Sequence, residues 1–352
     1  MIDRRKFLGI TAGAGATLAL TPELLRALQQ AGATSELLHA LQQPQGKVIQ
    51  RAIPSTGEML PVIGVARGYV QDNARLAHLV DMANPSSEAY AMLKAVVKTM
   101  ADNGGRAIDS NDTEGQQVTG MIAGELGITN KVFWSTGMAL PNLPDTVPAP
   151  DAATVKAHLD SVFTRLKVSR IDLLTLGLSN PHFVRSTLPT ALAVAKEAKK
   201  EGRIRYIGLS ELPTANNPYG LLQSMMKNEP IDFISVPHYH SANRRAEETL
   251  LPLAQERKIG VMVLMPFHLG RLFQRAGTTP VPDWAADFDA RTWAQFFLKY
   301  IVSHPAVTAV LPGTSSAKHM LDNIGGGIGR LPNEATRKRM AELVDSFPPW
   351  RP

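Results

Sequence analysis

Hydrophobic and polar positions in this chain fall into a repeating alternation. Short apolar runs stop abruptly at Gly, Ser, Thr or Asp, and longer stretches with apolar residues at helical spacing follow them. The runs Arg106–Asp109, Lys131–Thr136, Ile171–Leu176, Ile204–Ser210, Ile231–Val236, Ile259–Met265 and Val307–Leu311 lack a two-residue alternation. That absence predicts strands buried on both faces, as in a parallel sheet. Helical patterns lie between and after them, at Gln117–Leu126, Ala153–Leu166, Pro181–Glu201, Pro218–Met226, Ala246–Arg257, Arg291–Val302 and Ser316–Ile324. Ahead of the alternation, Val48–Val65 reads as a hairpin with Pro54-Ser55-Thr56-Gly57 as its turn and Val62–Val65 as the next strand. Ser87–Asn103 reads as an amphipathic helix with Leu93, Val96, Val97 and Met100 on one face, and Asn333–Ser346 as a last helix outside the alternation. With Val62–Val65 the strands number eight, which predicts a closed (β/α)8 barrel with an N-terminal hairpin and an extra C-terminal helix, rather than an open doubly wound sheet.

In such a barrel, chemistry is built where strands end. The stretch 104–117, GGRAIDSNDTEGQQ, puts the Asp109 carboxylate at one such end, and Asn111, Asp112 and Glu114 follow it. Composition narrows the field. The 352 residues are 44% apolar, enough for one large barrel, and the net charge of +6 is scattered along the chain. No basic run interleaves with aromatics, so a nucleic-acid partner is not expected. The absence of cysteine excludes disulfides and thiol chemistry.

Asp3-Arg4-Arg5-Lys6-Phe7-Leu8-Gly9 resembles the twin-arginine export motif. The Gly- and Ala-rich stretch after it, residues 8–20, is too short and mild for a stable membrane span. Ala31-Gly32-Ala33 supplies a small-residue cleavage site. The expected organisation is a twin-arginine signal peptide at 1–33, a linker at 34–47 and the barrel at 48–352. The expected location is the periplasm, with the twin-arginine translocase as a partner during export.

GGRAIDS, SRIDLLTL, EGRIRYIGLSEL, AEETLLPLAQERKIGVMVLMPFHLGRLF and VLPGTSSAKHMLDNIGG, in that order and spacing, resemble the aldo/keto reductase family across about residues 48–345. The segment from Pro282 to Ser316 is most similar to an exported subgroup of that family. The resemblance implies a (β/α)8 barrel plugged by a hairpin, with NADPH lying across the strand ends and a small carbonyl compound as substrate. It also implies a tetrad: a Tyr that gives up a proton, a Lys paired with an Asp that lowers the Tyr pKa, and a His that orients the carbonyl.

Carried over residue by residue, the tetrad is degenerate. Asp109 is kept, Glu114 stands where the Tyr belongs, and Gly137 and Gly177 replace the Lys and the His. The two glycines imply an emptied volume. For the cofactor, the carboxamide-binding pair becomes Ser210-Glu211, the strand-six Gln aligns with Val236, and Tyr239 stands for the ring beneath the nicotinamide. Gly313, Thr314, Ser315, His319, Asp322 and Asn323 fit the phosphate and adenine region, where His319 replaces an Arg and Lys318 offers a second cation. Backbone amides at the start of Ser316–Ile324 offer a phosphate site, and the first-strand glycine signature reads Ala66-Arg67.

Several assignments stay open. Glu114 is either a replacement acid, with its pKa raised by burial near Asp109, or an ordinary loop carboxylate. His238, His240 and His268, with Glu211, are either a metal site at the mouth or ordinary loop histidines. Trp284 is either a pocket residue or rim packing, whereas Asp172 begins its strand at the closed face and is expected in a structural ion pair. Three functions follow: a divergent NADP-linked oxidoreductase with ordinary carbonyl reduction impaired or lost; a non-catalytic barrel that binds a small molecule or partner; and a metal-dependent lyase, isomerase or hydrolase using the histidines.

Overall fold

The computed structural model describes residues 46–67, 84–138, 140, 148–212 and 219–349. The expected signal peptide and residues 34–45 of the expected linker lie outside the described residues.

The hairpin forms as expected. Strands β1 (Gln50–Ala52) and β2 (Met59–Pro61) pair antiparallel, Arg51 opposite Leu60. Gly57 takes the left-handed conformation that the turn requires, φ 75°. Eight parallel strands follow in sequence order: β3 (Val65–Arg67), β4 (Ala107–Ser110), β5 (Phe133–Gly137), β6 (Ile171–Gly177), β7 (Ile204–Ser210), β8 (Phe233–Pro237), β9 (Gly260–Leu264) and β10 (Ala309–Leu311). Pro312, with no N–H to give, interrupts the eighth strand, which resumes as β11 (Gly313–Thr314). β11 lies parallel to β3, Gly313 opposite Ala66, and Ile63 bridges Val310, so the sheet closes on itself.

The helices are α1 (Glu88–Asp102), α2 (Thr113–Glu125), α3 (Ala152–Leu166), α4 (Pro181–Ser186), α5 (Leu188–Lys200), α6 (Gly220–Asn228), α7 (Arg245–Arg257), α8 (Arg271–Ala276), α9 (Trp293–Val302), α10 (Ala317–Gly325) and α11 (Glu334–Asp345). The first barrel strand, Val65–Arg67, begins where the expected Val62–Val65 ends, and two helix boundaries differ from the sequence reading for a local reason. The Asp112 side chain accepts from Gly115 N at 2.8 Å and starts α2 ahead of the expected Gln117. The expected helix Pro181–Glu201 is split at Thr187, because Pro189 is tolerated only in a first helical turn.

Each strand sends alternate side chains to opposite faces. Phe133, Leu173, Tyr206, Phe233 and Met262 fill the barrel interior, closed below by Ile53 and Leu60 of the hairpin. Outward residues such as Ile108, Leu174, Ile207, Val236 and Val263 pack beneath the helices. At the closed face Glu58 accepts from Arg106 at 3.0 Å and from Arg205. Arg205 also donates to Asp172 at 2.8 Å, whose other oxygen accepts from Trp134 N at 2.8 Å. Asp172 is therefore part of the ion-pair network that ties the hairpin to the barrel floor.

Candidate functional site

The carboxyl ends of six strands surround a cavity of about 350 Å³. Asp109 comes from β4, Gly137 from β5, Thr175 and Gly177 from β6, Ser210 from β7, Ser235 from β8 and Leu264 from β9. This is the face at which (β/α)8 barrels carry their sites.

Asp109 is 5% exposed and sits opposite Ser135 in the β4–β5 ladder. Ser135 Oγ donates to Asp109 Oδ1 at 2.6 Å, and Asn111 Nδ2 donates to Oδ2. Burial pushes the Asp109 carboxyl up to about 6; the two hydrogen bonds oppose the shift, and the Asp112 charge adds to it. Gly137, expected from the sequence at the position of a tetrad Lys, lies on the cavity wall. A Cβ added there would first meet Asn111 Oδ1 at 3.2 Å, and one added at Gly177 would meet nothing within 4 Å. The open volume expected from the two glycines is found at Gly177, whereas Asn111 stands against Gly137.

Glu114 does not join Asp109. It lies exposed on the first turn of α2 and is not among the cavity-lining residues. The burial beside Asp109 expected of a replacement acid is missing. Asn111 occupies the cavity wall instead.

Tyr239 needs a larger correction. Its ring is 0% exposed, and its hydroxyl donates to Glu247 Oε1 at 2.7 Å. The same oxygen accepts from Tyr300 Oη at 2.8 Å and from Arg337 at 2.6 Å. Tyr239 thus anchors a polar cluster among α7, α9 and α11 and presents no face to a ligand. His238 before it has φ 59°, a left-handed turn that carries the chain outward from the strand end. The strand-six assignment shifts by one residue as well: Val236 packs in the outer core, whereas Ser235 lines the cavity. Glu211 accepts from Leu222 N at 2.8 Å and serves the start of α6.

The three histidines do come together. His268 stands edge-on to His238 at 5.0 Å between ring centroids and stacks on His240 at 5.1 Å. Burial first, and neighbouring positive charge second, lower all three; His240 falls to about 3 and His268 to about 4. Among the described residues no group of three His, Cys, Asp or Glu side chains is placed to hold a metal ion. Trp284 packs against Phe296 at 5.6 Å with the Arg339 guanidinium 4.2 Å above its ring, and does not line the cavity.

The last loop is divided. Gly313, Lys318 and His319 are exposed, Thr314 and Ser315 half-buried, and Ser316 caps α10. Asp322 has turned inward: its carboxylate accepts from Thr292 Oγ1 at 2.9 Å and from Gln295 Nε2 at 2.8 Å. Asn323 is 2% exposed, and its Nδ2 has no hydrogen-bond partner.

Ser135, Thr175, Ser235 and Leu264 complete the site beyond the residues singled out from sequence, and Asn111 of the 104–117 stretch joins them. For Ser235 the missed signal is the two-residue alternation from Phe233, which faces the barrel interior.

A closed (β/α)8 barrel with a cavity of mixed polar and apolar lining at the carboxyl ends of its strands places the protein in the (β/α)8-barrel class. Residues 76–338 match the model of the aldo/keto reductase family. The chain belongs to that family. Among curated proteins it is 27% identical over 174 residues to an uncharacterized oxidoreductase of Schizosaccharomyces pombe, covering 49% of this chain and 53% of the relative. It is 23% identical over 214 residues to an uncharacterized oxidoreductase of Bacillus subtilis, covering 54% and 66%. The chain thus matches between about half and two thirds of the length of these relatives. Among solved structures, the holo form of an aldo-keto reductase from Bacillus halodurans superposes with a TM-score of 0.63 at 19% identity, covering 84% of this chain and 96% of that one. An aldo-keto reductase from Klebsiella pneumoniae in complex with NADPH gives 0.60 at 20% identity, covering 86% and 97%. At these identities the likeness concerns the fold.

Proposed function

We infer that the protein is an exported, NADP-linked oxidoreductase of divergent type in which ordinary carbonyl reduction is impaired or lost. The observation that carries this reading is the Asp109 environment: a buried carboxylate bound by Ser135 and Asn111, with glycines at the Lys and His positions. Without a lysine charge beside it, the carboxylate has nothing to transmit to a phenol. Glu114, at the position of the tetrad Tyr, is exposed, and among the described residues that line the cavity there is no Tyr, Lys or His.

The residues present still fit NADPH at both ends. Ser210 and Ser235 line the cavity where the carboxamide would lie, and the buried Ser235 Oγ lacks a partner. In the last loop region the buried Asn323 Nδ2, near the C-terminal end of α10, lacks one too, and the α10 N-terminus offers backbone amides beside Lys318. NADPH, when bound, supplies reducing equivalents to the cavity. The chain's own contribution is to orient the carboxamide with hydroxyls, to exclude water with Leu264 and Phe183, and to hold at Asp109 a carboxyl that burial raises to about 6.

Titration with NADPH, followed by nicotinamide fluorescence, is expected to saturate, while a panel of aldehydes and ketones turns over at least about 10³-fold more slowly than typical enzyme rates. Absence of binding at about 1 mM NADPH would sink the cofactor assignment. Brisk turnover by the unaltered protein would sink the impairment. Restored reduction in the triple variant Glu114→Tyr, Gly137→Lys, Gly177→His would support it further.

Export rests on Arg4-Arg5 and the mild apolar stretch after them. Substituting both arginines with Lys is expected to leave the full chain in the cytoplasm of a host with a twin-arginine translocase. Unchanged periplasmic recovery would overturn the export assignment.

A further inference from the structure

Two loops meet through histidine rings. One follows β8 and carries His238 and His240; the other follows β9 and carries His268. The His268 ring touches both others, edge-on to His238 at 5.0 Å and stacked on His240 at 5.1 Å. His240 is 2% exposed. Its Nδ1 accepts from Ala242 N at 3.2 Å, which leaves the ring proton on Nε2. His268 Nε2 faces Arg271 Nη1 at 3.2 Å and, since a guanidinium only donates, serves as an acceptor. Both rings are therefore neutral in this packing. His238 Nδ1, His240 Nε2 and the adjacent Ser241 Oγ are buried with no hydrogen-bond partner.

The surroundings oppose a second proton on any of the rings. Arg271 acts on His238, Arg271 and Arg275 act on His268, and Arg275 and Arg244 act on His240, together with the rings on one another. Arg244 is paired with Asp345 at 2.7 Å, and Arg275 donates to the carbonyls of Val344, Phe347 and Pro348. The backbone is strained as well. His238, Met265, His268 and Leu269 have φ of 59°, 52°, 50° and 55°, half of the eight non-glycine residues in the left-handed region among the described residues. The loops thus hold a shape that side-chain packing favours and the backbone does not.

We propose that His238, His240 and His268 form an acid-sensitive latch, which packs the two loops together while the rings are neutral and releases them when the rings are charged. The direction follows from linkage. Burial and the neighbouring positive charge lower the imidazoles, His240 to about 3 and His268 to about 4, from an ordinary value of 6.5. Between those values the open loops take up protons that the closed loops refuse. The advantage of the closed form is complete above 6.5 and is lost as pH falls below it. At about pH 5, each histidine freed by opening favours the open form about 30-fold. The latch belongs to the chain itself and stands apart from any bound cofactor.

Amide hydrogen exchange of the full chain at about pH 7.5 and about pH 5, each corrected for the exchange of an unstructured chain, tests the latch. The reporters are amides bonded in and beside the loops: His238 N to Leu264 O at 3.0 Å, Asn243 N to His240 O at 2.9 Å and His268 N to Met265 O at 3.0 Å. Their protection is expected to fall at least about 30-fold at the lower pH, with that of β7 unchanged. In the triple variant His238→Asn, His240→Asn, His268→Gln no ring is left to charge, and amide oxygens replace the acceptors that face Ala242 N and Arg271. Its loop protection is expected to be the same at both pH values. His240→Asn alone is expected to reduce the fall, and it serves where the triple variant does not fold. Equal protection of the unaltered loops at both pH values overturns the proposal. So does an equal fall in β7, which marks global unfolding, or an undiminished fall in the variants.

Discussion

Asp109→Asn is expected to stabilise the protein at pH 7, by up to about 3 kcal/mol. The magnitude follows from the carboxyl's rise from 3.8 to about 6 on burial. The sign is that of an acid whose folded pKa is raised. The favourable contribution of the protonated form is complete below 3.8, and it is lost as pH rises to about 6. At pH 7 the native state therefore holds an ionised group that it solvates poorly. An amide keeps the acceptor for Ser135 Oγ without the charge. Urea unfolding of both proteins at pH 7 and again below pH 3.8 is the check, with the gain present in the first condition and absent in the second. A destabilised variant at pH 7, or the same gain at both, would contradict the assignment. A group that costs stability and is kept at the mouth of a barrel is the usual mark of a functional position.

Glu247→Ala is expected to cost about 3–5 kcal/mol. Its Oε1 gathers three donors, from Tyr239, Tyr300 and Arg337, and the Arg337 side chain is 11% exposed. Burial works against ionisation of Glu247, but the Arg337 charge and the two phenols hold its carboxyl below the ordinary value. Removing it leaves a buried guanidinium, stacked 4.1 Å from the Tyr300 ring, without its counter-ion. Tyr239→Phe removes the hydrogen bond to Glu247 and the longer one accepted from Arg337 at 3.4 Å, and is expected to cost about 1 kcal/mol, with NADPH affinity unchanged. Denaturant midpoints and the fluorescence titration check the two variants. A Tyr239→Phe protein that keeps its stability and loses NADPH would return the tyrosine to the cofactor site.

The architecture was legible because each buried strand is a compact apolar run; Ile204–Ser210 forms a strand with both expected ends. Asp109 and Asp172 were legible as polar residues at opposite ends of such runs. What stayed hidden was direction. Ser235 and Val236 are neighbours in one short strand, and which of them faces inward depends on register that an apolar run does not encode. Tyr239 follows the same strand but is turned outward by the left-handed His238, a conformation rare for a residue with a side chain. Glu114 was misplaced because Asp112 begins the helix earlier than the apolar pattern does. Asp322 is drawn inward by Thr292 and Gln295, partners about thirty positions earlier in the chain that no local pattern announces.

The interrupted eighth strand bears on how this barrel comes into being. Seven of its seams join strands consecutive in the chain, whereas the eighth joins Val310 to Ile63 and Gly313–Thr314 to Ala66–Arg67, across almost the whole barrel. Until Thr314 is in place, a nascent chain is an open sheet whose first strand shows a bare edge, ready to pair with another copy. A few residues on either side of a proline thus separate a sticky ribbon from a closed and self-contained cylinder.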